Sequence, residues 1–496
     1  MMNRLPRIVP VPPCILTALV LGLAACAGTP ARPERDKAAE IDRLMTAYAH
    51  NGQFNGAVLV SDHGDIIYKK AFGKASLELD VPNTPEMAFS VGSVTKPFTA
   101  TLVMQLVQEG KLKLDGTLGE YLPVFASTPA ARVTLHQLLT HTSGLSSRIN
   151  GGDETFWKTD ARRKYTVEQF IREHIPGTLD FEPGSQWRYC NAGYFVLGAI
   201  IERVTGQDYA HALESRILAP AGMSHSGLDH QGLLVPKRAS GYTKQLGEYR
   251  PAEYCDASVY YAAGGLYATV EDIYRWDRAL SSDKLLSADT KRQVFTRHMR
   301  DSGYGWFIEQ WPVGKTEAKL PVVLHTGGVF GFSSLLVRST SDESLIVLMD
   351  NTARGDMLTS IGHGLFDVLH GQTPPAPKKS LSDVLGPVVV REGIEAGVRE
   401  FRRLQSENSE QVDLSESSVN TFGYQLLRAP RVDDAIRVFQ WNAEAFPNSG
   451  NVYDSLAEAY VAQGDKARGI ENYRKALELD PKNGNAKTRL EALNTP

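Results

Sequence analysis

Between Met87 and Gly110, Phe98, Leu102 and Leu106 fall four apart, with Val103 and Val107 beside them. That spacing predicts a loop leading into a helix whose first residue is Ser93. Pro97 fits the first turn, where backbone amides have no intrahelical partner to lose, and Glu109-Gly110 supplies a stop. A second apolar helical run covers Tyr194 to Val204, after the turn-rich Phe181-Glu182-Pro183-Gly184-Ser185. Tyr189 and Asn191 are therefore expected on a loop just before that helix, where side chains project into clefts. Leu320 to Leu324, Phe332 to Arg338 and Ser344 to Met349 read as consecutive antiparallel strands.

After Leu369 the pattern changes. Residues 372–380, with Pro374, Pro375 and Pro377, read as a linker, and 381–496 as an all-helical region with an internal repeat. Pro447 recurs as Pro481, Phe439 as Tyr473 and Ile436 as Ile470, at the period of about 34 residues typical of tetratricopeptide repeats. The copy from Asn451 to Asn483 follows that pattern at Ala459, Tyr460, Gly464, Asp465, Tyr473, Ala476 and Pro481; the copy near Ser417 to Gly450 diverges from it. Two copies are fewer than the roughly three needed to bury a continuous core. A helix over Gly393 to Gln405 is accordingly expected to cap the array or to dock on the preceding domain. A protein or peptide partner for this region and a structural appendage are both open readings.

The N-terminus adds a location. Arg4 and Arg7 precede an apolar stretch, Cys14 to Ala25, that is short for a bilayer span and reads as a signal peptide, residues 1–25. Leu23-Ala24-Ala25-Cys26 resembles a bacterial lipobox, which implies cleavage before Cys26 and lipidation of its sulfur; simple cleavage after Ala27 is the alternative. Residues 26–37 would then tether the domain spanning 38–371 to a membrane, at the periplasmic or cell surface, the outer membrane if the cell has two. Of the four cysteines, only Cys190 and Cys255 remain to pair, and a bridge at Cys190 would restrain the loop carrying Tyr189. With a formal charge of −4 and no basic run, nothing in the sequence suggests nucleic-acid binding, and no nucleic-acid partner is expected.

Three motifs carry candidate chemistry: Ser93-Val94-Thr95-Lys96, Tyr189-Cys190-Asn191 and His325-Thr326-Gly327-Gly328. Residues three apart on a helix share a face, so the Ser93 hydroxyl and the Lys96 amine should be neighbours. A serine attacks only when something takes its proton, and a lysine takes it only when neutral. That requires its pKa to fall from about 10.4 to near 7, by burial under the helix. Tyr189 could relay the proton to a leaving group, and Asn191 could orient the lysine and an acyl carbonyl. The paired glycines let a substrate backbone approach the strand, and an amide near Gly328 with that of Ser93 could hold an oxyanion. Ser281 to Lys284 and His225-Ser226-Gly227 repeat two of these patterns in polar, surface-like settings. No G-x-S-x-G, H-E-x-x-H, P-loop or dinucleotide fingerprint occurs, so no metal or cofactor is expected.

Together the motifs resemble the serine β-lactamase and penicillin-binding-protein superfamily, on its class C β-lactamase and DD-peptidase side. Leu138-Leu139-Thr140-His141-Thr142-Ser143-Gly144-Leu145, Ala263 to Thr269 and Tyr304-Gly305-Trp306 add to the likeness, which spans roughly Ile41 to Leu369. The resemblance implies an α+β fold: an antiparallel sheet flanked by helices, plus a helical subdomain, with the cleft between them. It also implies Ser93 as acylated nucleophile, Lys96 as its proton partner and Tyr189 as acid/base. Asn191, His325, Thr326, Gly327 and Gly328 would bind substrate. His325 stands where class C β-lactamases carry lysine, which looks more like the DD-carboxypeptidase, D-aminopeptidase and esterase branches. His141 belongs to a motif that looks structural and is left outside the catalytic set. The expected activity is hydrolysis of an amide or ester: a D-amino-acid peptide, a β-lactam or a small ester. A slowly deacylating sensor presenting repeats to a partner is the alternative. A charged His325 predicts activity falling through about pH 6–7, whereas the Lys96–Tyr189 pair predicts a rise towards alkaline pH.

Overall fold

Six strands carry the molecule's central sheet: β1 (Gly56–Asp62), β2 (Asp65–Ala71), and, beyond a two-stranded hairpin β3 (Tyr242–Gln245) and β4 (Glu248–Pro251), β5 (Phe307–Pro312), β6 (Lys319–Val329), β7 (Phe332–Ser339) and β8 (Leu345–Asp350). Their order across the sheet is β5-β6-β7-β8-β1-β2, antiparallel throughout, so the chain's first strands close against its last. The computed structural model describes residues 36–150, 153–355, 357–407 and 410–494. The signal-peptide and lipidation expectations, including Cys26, lie outside the described residues.

β1 and β8 are buried along almost their whole length because apolar layers cover both sheet faces. On one face, α1 (Lys37–His50) and the late helix Met357–Leu369 bury Ile41, Leu44, Ile361, Leu365 and Phe366 against Val58, Val60, Leu335 and Leu348. On the other lies the larger core, built around α2 (Thr95–Gln108) and α3 (Asn191–Thr205) with Phe98, Leu102, Phe195 and Leu197 fully covered. Gly110 ends α2 region as expected, in the left-handed conformation with φ +70°.

Three local expectations are revised. Ser93 lies in a 3₁₀ turn, Gly92–Val94, and the α-helix proper begins at Thr95. Asn191 is the first residue of α3 rather than a loop residue; the Cys190 thiol caps it, accepting from the Gly193 amide at 3.3 Å. The His325 strand does not end at Leu324: β6 continues through Gly327 and Gly328 to Val329. Glycines have poor strand propensity, so the apolar run stops early, but pairing of Gly327 with Ser334 and Gly328 with Ser333 sustains the ladder.

Residues from Leu381 onward are helical: α4 (Leu381–Glu392), α5 (Ile394–Ser406), α6 (Glu416–Arg428), α7 (Val432–Ala445), α8 (Gly450–Gln463), α9 (Lys466–Leu479) and α10 (Gly484–Asn494). The expected capping helix is α5; Phe401 stacks on Trp441 of α7 at 5.6 Å between ring centroids. Docking on the sheet domain is done by other elements. Lys244 pairs with Asp383 at 2.8 Å, and the Leu246 amide donates to Gln425 at 2.9 Å. The 372–380 segment is itself bonded down, its Pro377 and Lys378 carbonyls accepting from Asn51 and Gln53. Among the described residues no helix is long and apolar enough to cross a membrane.

The tip of the β3–β4 hairpin explains why this docking holds. Leu246 (φ 51°) and Gly247 (φ 84°) are both left-handed, the geometry of a tight hairpin turn in which Asn-Gly is usual. A leucine pays strain there, yet its side chain is 4% exposed within the core formed by Leu381, Leu385, Val389 and Leu426. Burying a leucine is worth about 1.5–3 kcal/mol, enough to outweigh the turn's preference. Leu246→Asn should therefore destabilise the helical region by about 2 kcal/mol although it relieves the turn. Denaturant unfolding followed by limited proteolysis at 372–380 checks this; unchanged stability would show the hairpin tip to be incidental.

Candidate active site

Ser93 reaches the site because its turn is pressed against β6. Gly92 has φ +53°, and a Cβ there would meet the Gly328 amide nitrogen at 2.8 Å. A side chain at Gly327 would run into the Val91 carbonyl and the Ser334 hydroxyl, and that hydroxyl donates to the same carbonyl at 2.7 Å. The two glycines thus have different roles. Gly327 permits close packing of strand on turn, while Gly328 faces open space.

Lys96 is fully buried, and its Nζ lies 3.1 Å from Ser93 Oγ, 2.9 Å from Asn191 Oδ1 and 2.7 Å from the Ala263 carbonyl. Burial lowers its pKa from 10.5 to about 7. A neutral amine has two N–H donors and one lone pair. The Asn191 and Ala263 oxygens take the two donors, so the lone pair is left for the Ser93 hydroxyl proton. Asn191 holds its own orientation by donating from Nδ2 to the Ile149 carbonyl at 3.1 Å.

Tyr189 approaches from the α3 entry loop. Its ring lies 4.8 Å from Lys96 Nζ, Ser93 sits close enough to act on its hydroxyl, and burial raises its pKa above the usual phenol value. The phenol therefore keeps its proton and serves as a donor. His325 is 2% exposed, its ring centroid 6.3 Å from that of Tyr189, with Nδ1 2.6 Å from the Thr326 carbonyl. Burial first and the nearby Lys96 second push its pKa down to about 3. Of the two pH readings, burial disfavours the one that needs a charged imidazole and favours the one that runs through Lys96 and Tyr189. Thr326 and Gly328 are exposed on β6 and line the cleft with Ser93 and Asn191. Their cleft is about 840 Å³, with an aromatic wall in which Trp157 stacks on Tyr260 and meets Phe330 edge-on.

His141, set aside from sequence, holds this arrangement together. Its ring stacks on Tyr189 at 4.5 Å, its Nδ1 accepts from the Cys190 amide at 3.0 Å, and its carbonyl accepts from the Arg188 amide at 3.0 Å. Burial keeps it neutral. Its motif was visible in sequence; its contact with a loop 48 residues on (189 − 141) was not. The decoys separate as expected, with Ser281, Lys284 and His225 all exposed. Cys190 and Cys255 are free thiols. Among the described residues no group of three His, Cys, Asp or Glu could hold a metal ion.

A serine, a buried amine, a phenol and an HTGG strand meeting at one cleft define a penicillin-binding type of fold and site. The chain belongs to the Beta-lactamase family, whose profile matches residues 41–361 and stops before the helices that begin at Leu381. It is 30% identical to penicillin-binding protein 4 of Amycolatopsis lactamdurans, over 67% of this chain and 88% of that one. Esterase EstB of Burkholderia gladioli is 29% identical over 68% of this chain and 95% of its own length. A crystal structure of a penicillin-binding protein from Bacillus halodurans matches with TM-score 0.56 at 27% identity, covering 64% of this chain and 98% of that one.

The glycine assignment is testable. Gly327→Ala should destabilise the fold by about 1–3 kcal/mol, since strand or turn must move, whereas Gly328→Ala should leave the melting temperature unchanged. Equal melting temperatures for both variants would contradict it.

Proposed function

We propose that this protein is a serine hydrolase that forms an acyl-enzyme on Ser93 from an amide or ester. The observation carrying this reading is the hydrogen-bond set of Lys96, which leaves a neutral amine only one thing to accept: the Ser93 proton. As Ser93 Oγ bonds to the substrate carbonyl carbon, its proton passes to Lys96. Negative charge collects on the former carbonyl oxygen, within reach of the Ser93 and Gly328 amides. Tyr189 gives its proton to the departing nitrogen or oxygen and recovers one from Lys96. Water then enters by the reverse path, frees the acid and restores Ser93. Thr326 and Asn191 orient the acyl group.

Relatives named as a penicillin-binding protein and as an esterase support an acyl-transfer site and leave D-amino-acid peptides, β-lactams and small esters as candidate substrates. A neutral His325 adds no positive charge for the carboxylate of a β-lactam or of a peptide C-terminus, so esters and amides without a carboxylate at that end are favoured. The aromatic wall suits substrates with apolar bulk. In the same reading, export and lipid anchoring through Cys26 place the site outside the cytoplasm, and the helical pairs after Leu381 are tetratricopeptide-like units; both rest on sequence pattern alone.

A fluorophosphonate should label Ser93, as read by peptide mass, and Ser93→Ala should abolish the label. Lys96→Ala should slow labelling by roughly 10²–10⁴-fold, the range for a lost general base. Because the lysine's pKa is lowered to about 7, the active neutral form accumulates as pH rises. Labelling should increase about tenfold per pH unit below 7 and level off above it. A folded protein that takes no label, or a rate falling as pH rises through 7, refutes the proposal. With a carboxylic ester in place of the fluorophosphonate, a long-lived acyl-enzyme that gives no turnover would replace hydrolysis with the sensor reading.

A further inference from the structure

The cleft that holds Ser93 is not lined by the family domain alone. Arg428, the last residue of α6 in the helical region, lines it too, together with Thr243 of β3 and Ala353. Thr243 and Ala353 are register partners in a small parallel pairing at this end of the cleft. Arg428 is exposed there and has no hydrogen bond or ion pair among the described residues.

The other charges lining the cleft are compensated. Glu154 pairs with Lys158 at 2.8 Å, and Glu253 with Arg162 at 3.1 Å. Arg428 is the cation left over among the described lining residues. Its position is set by contacts one turn back: Gln425 accepts from the Leu246 amide at 2.9 Å, and its carbonyl accepts from the Gln245 side chain at 3.3 Å. Those bonds tie the end of α6 to the hairpin whose Thr243 faces the cleft.

We infer that the helical region completes the substrate cleft, and that Arg428 selects substrates carrying an anionic group remote from the bond cleaved. A guanidinium offers a planar fork of donors matched to carboxylate and phosphate oxygens. The substrate class is thus an amide or ester with an apolar body against Trp157, Tyr260 and Phe330, and an anionic end at Arg428. This rests on the hydrolase reading and deepens it. Arg428 is a specificity residue, with no part in bond breaking.

The test uses the full chain and three matched aryl ester substrates whose distal end is a carboxylate, a phosphate monoester or a neutral carboxamide. For the wild type, kcat/KM for the anionic esters should exceed that for the neutral one by up to about fivefold at low salt, as for an exposed ion pair. The gain should lie in KM and shrink as salt is added. Whichever anion is preferred identifies the chemistry at this end. Arg428→Gln should bring the ratio to about one, Arg428→Glu should invert it, and Arg428→Lys should retain part of it. A wild type without preference, or an Arg428→Gln variant that keeps it, overturns the inference while leaving the hydrolase reading intact. Absence of both turnover and a Ser93 acyl adduct, with all three esters, overturns both.

Discussion

A fully buried amine with three oxygen neighbours organises this molecule's chemistry. Lowering a lysine from 10.5 to about 7 corresponds to on the order of 5 kcal/mol against the charged form. Nothing in the immediate contacts of Lys96 opposes that with a full negative charge; its partners are a hydroxyl, an amide oxygen and a backbone carbonyl. Each can accept from an amine, but none supplies the charge that would hold an ammonium in an apolar core. The result is a group near its titration point, with the lone pair directed at one serine. His325 and His141 feel the same burial and are kept neutral, so the site carries little permanent charge.

The surrounding fold can be understood as what is required to keep that amine dry and in place. α2 carries it, α3 supplies the asparagine, and the Tyr261–Gly264 turn supplies the carbonyl. β6 closes the other side, and the contact of Gly92 with Gly328 brings the Ser93 turn up to the strand. His141 fastens the tyrosine loop by ring and backbone at once. These are short-range steric and hydrogen-bond constraints, and a displacement of about 1 Å in any of them would move the proton path out of line.

The helical region is joined to this frame by a residue that violates its local preference. Leu246 sits where a turn favours asparagine, and the violation is resolved by burial in the neighbouring core. The same hairpin runs back to the cleft at Thr243, so attachment of the helices and the shape of the cleft are physically linked.

Much of the frame was legible because it depends on local periodicity. The α2 face, the β7 and β8 runs and the helical character after Leu381 all appear as repeating apolar positions, and Ser93 to Lys96 are neighbours through helix geometry alone. The strand through Gly327-Gly328 was cut short because glycine carries no apolar signal; its continuation is owed to pairing with β7. His141 on Tyr189, the Ala263 carbonyl on Lys96, Leu246 in the helical core and Arg428 in the cleft join residues far apart in the chain. Sequence by itself determined which residue types could do chemistry and which elements carry them. Tertiary packing alone decided the protonation of Lys96 and His325 and the walls of the cleft, because burial and long-range contact are properties of the folded surface and not of any spacing along the chain.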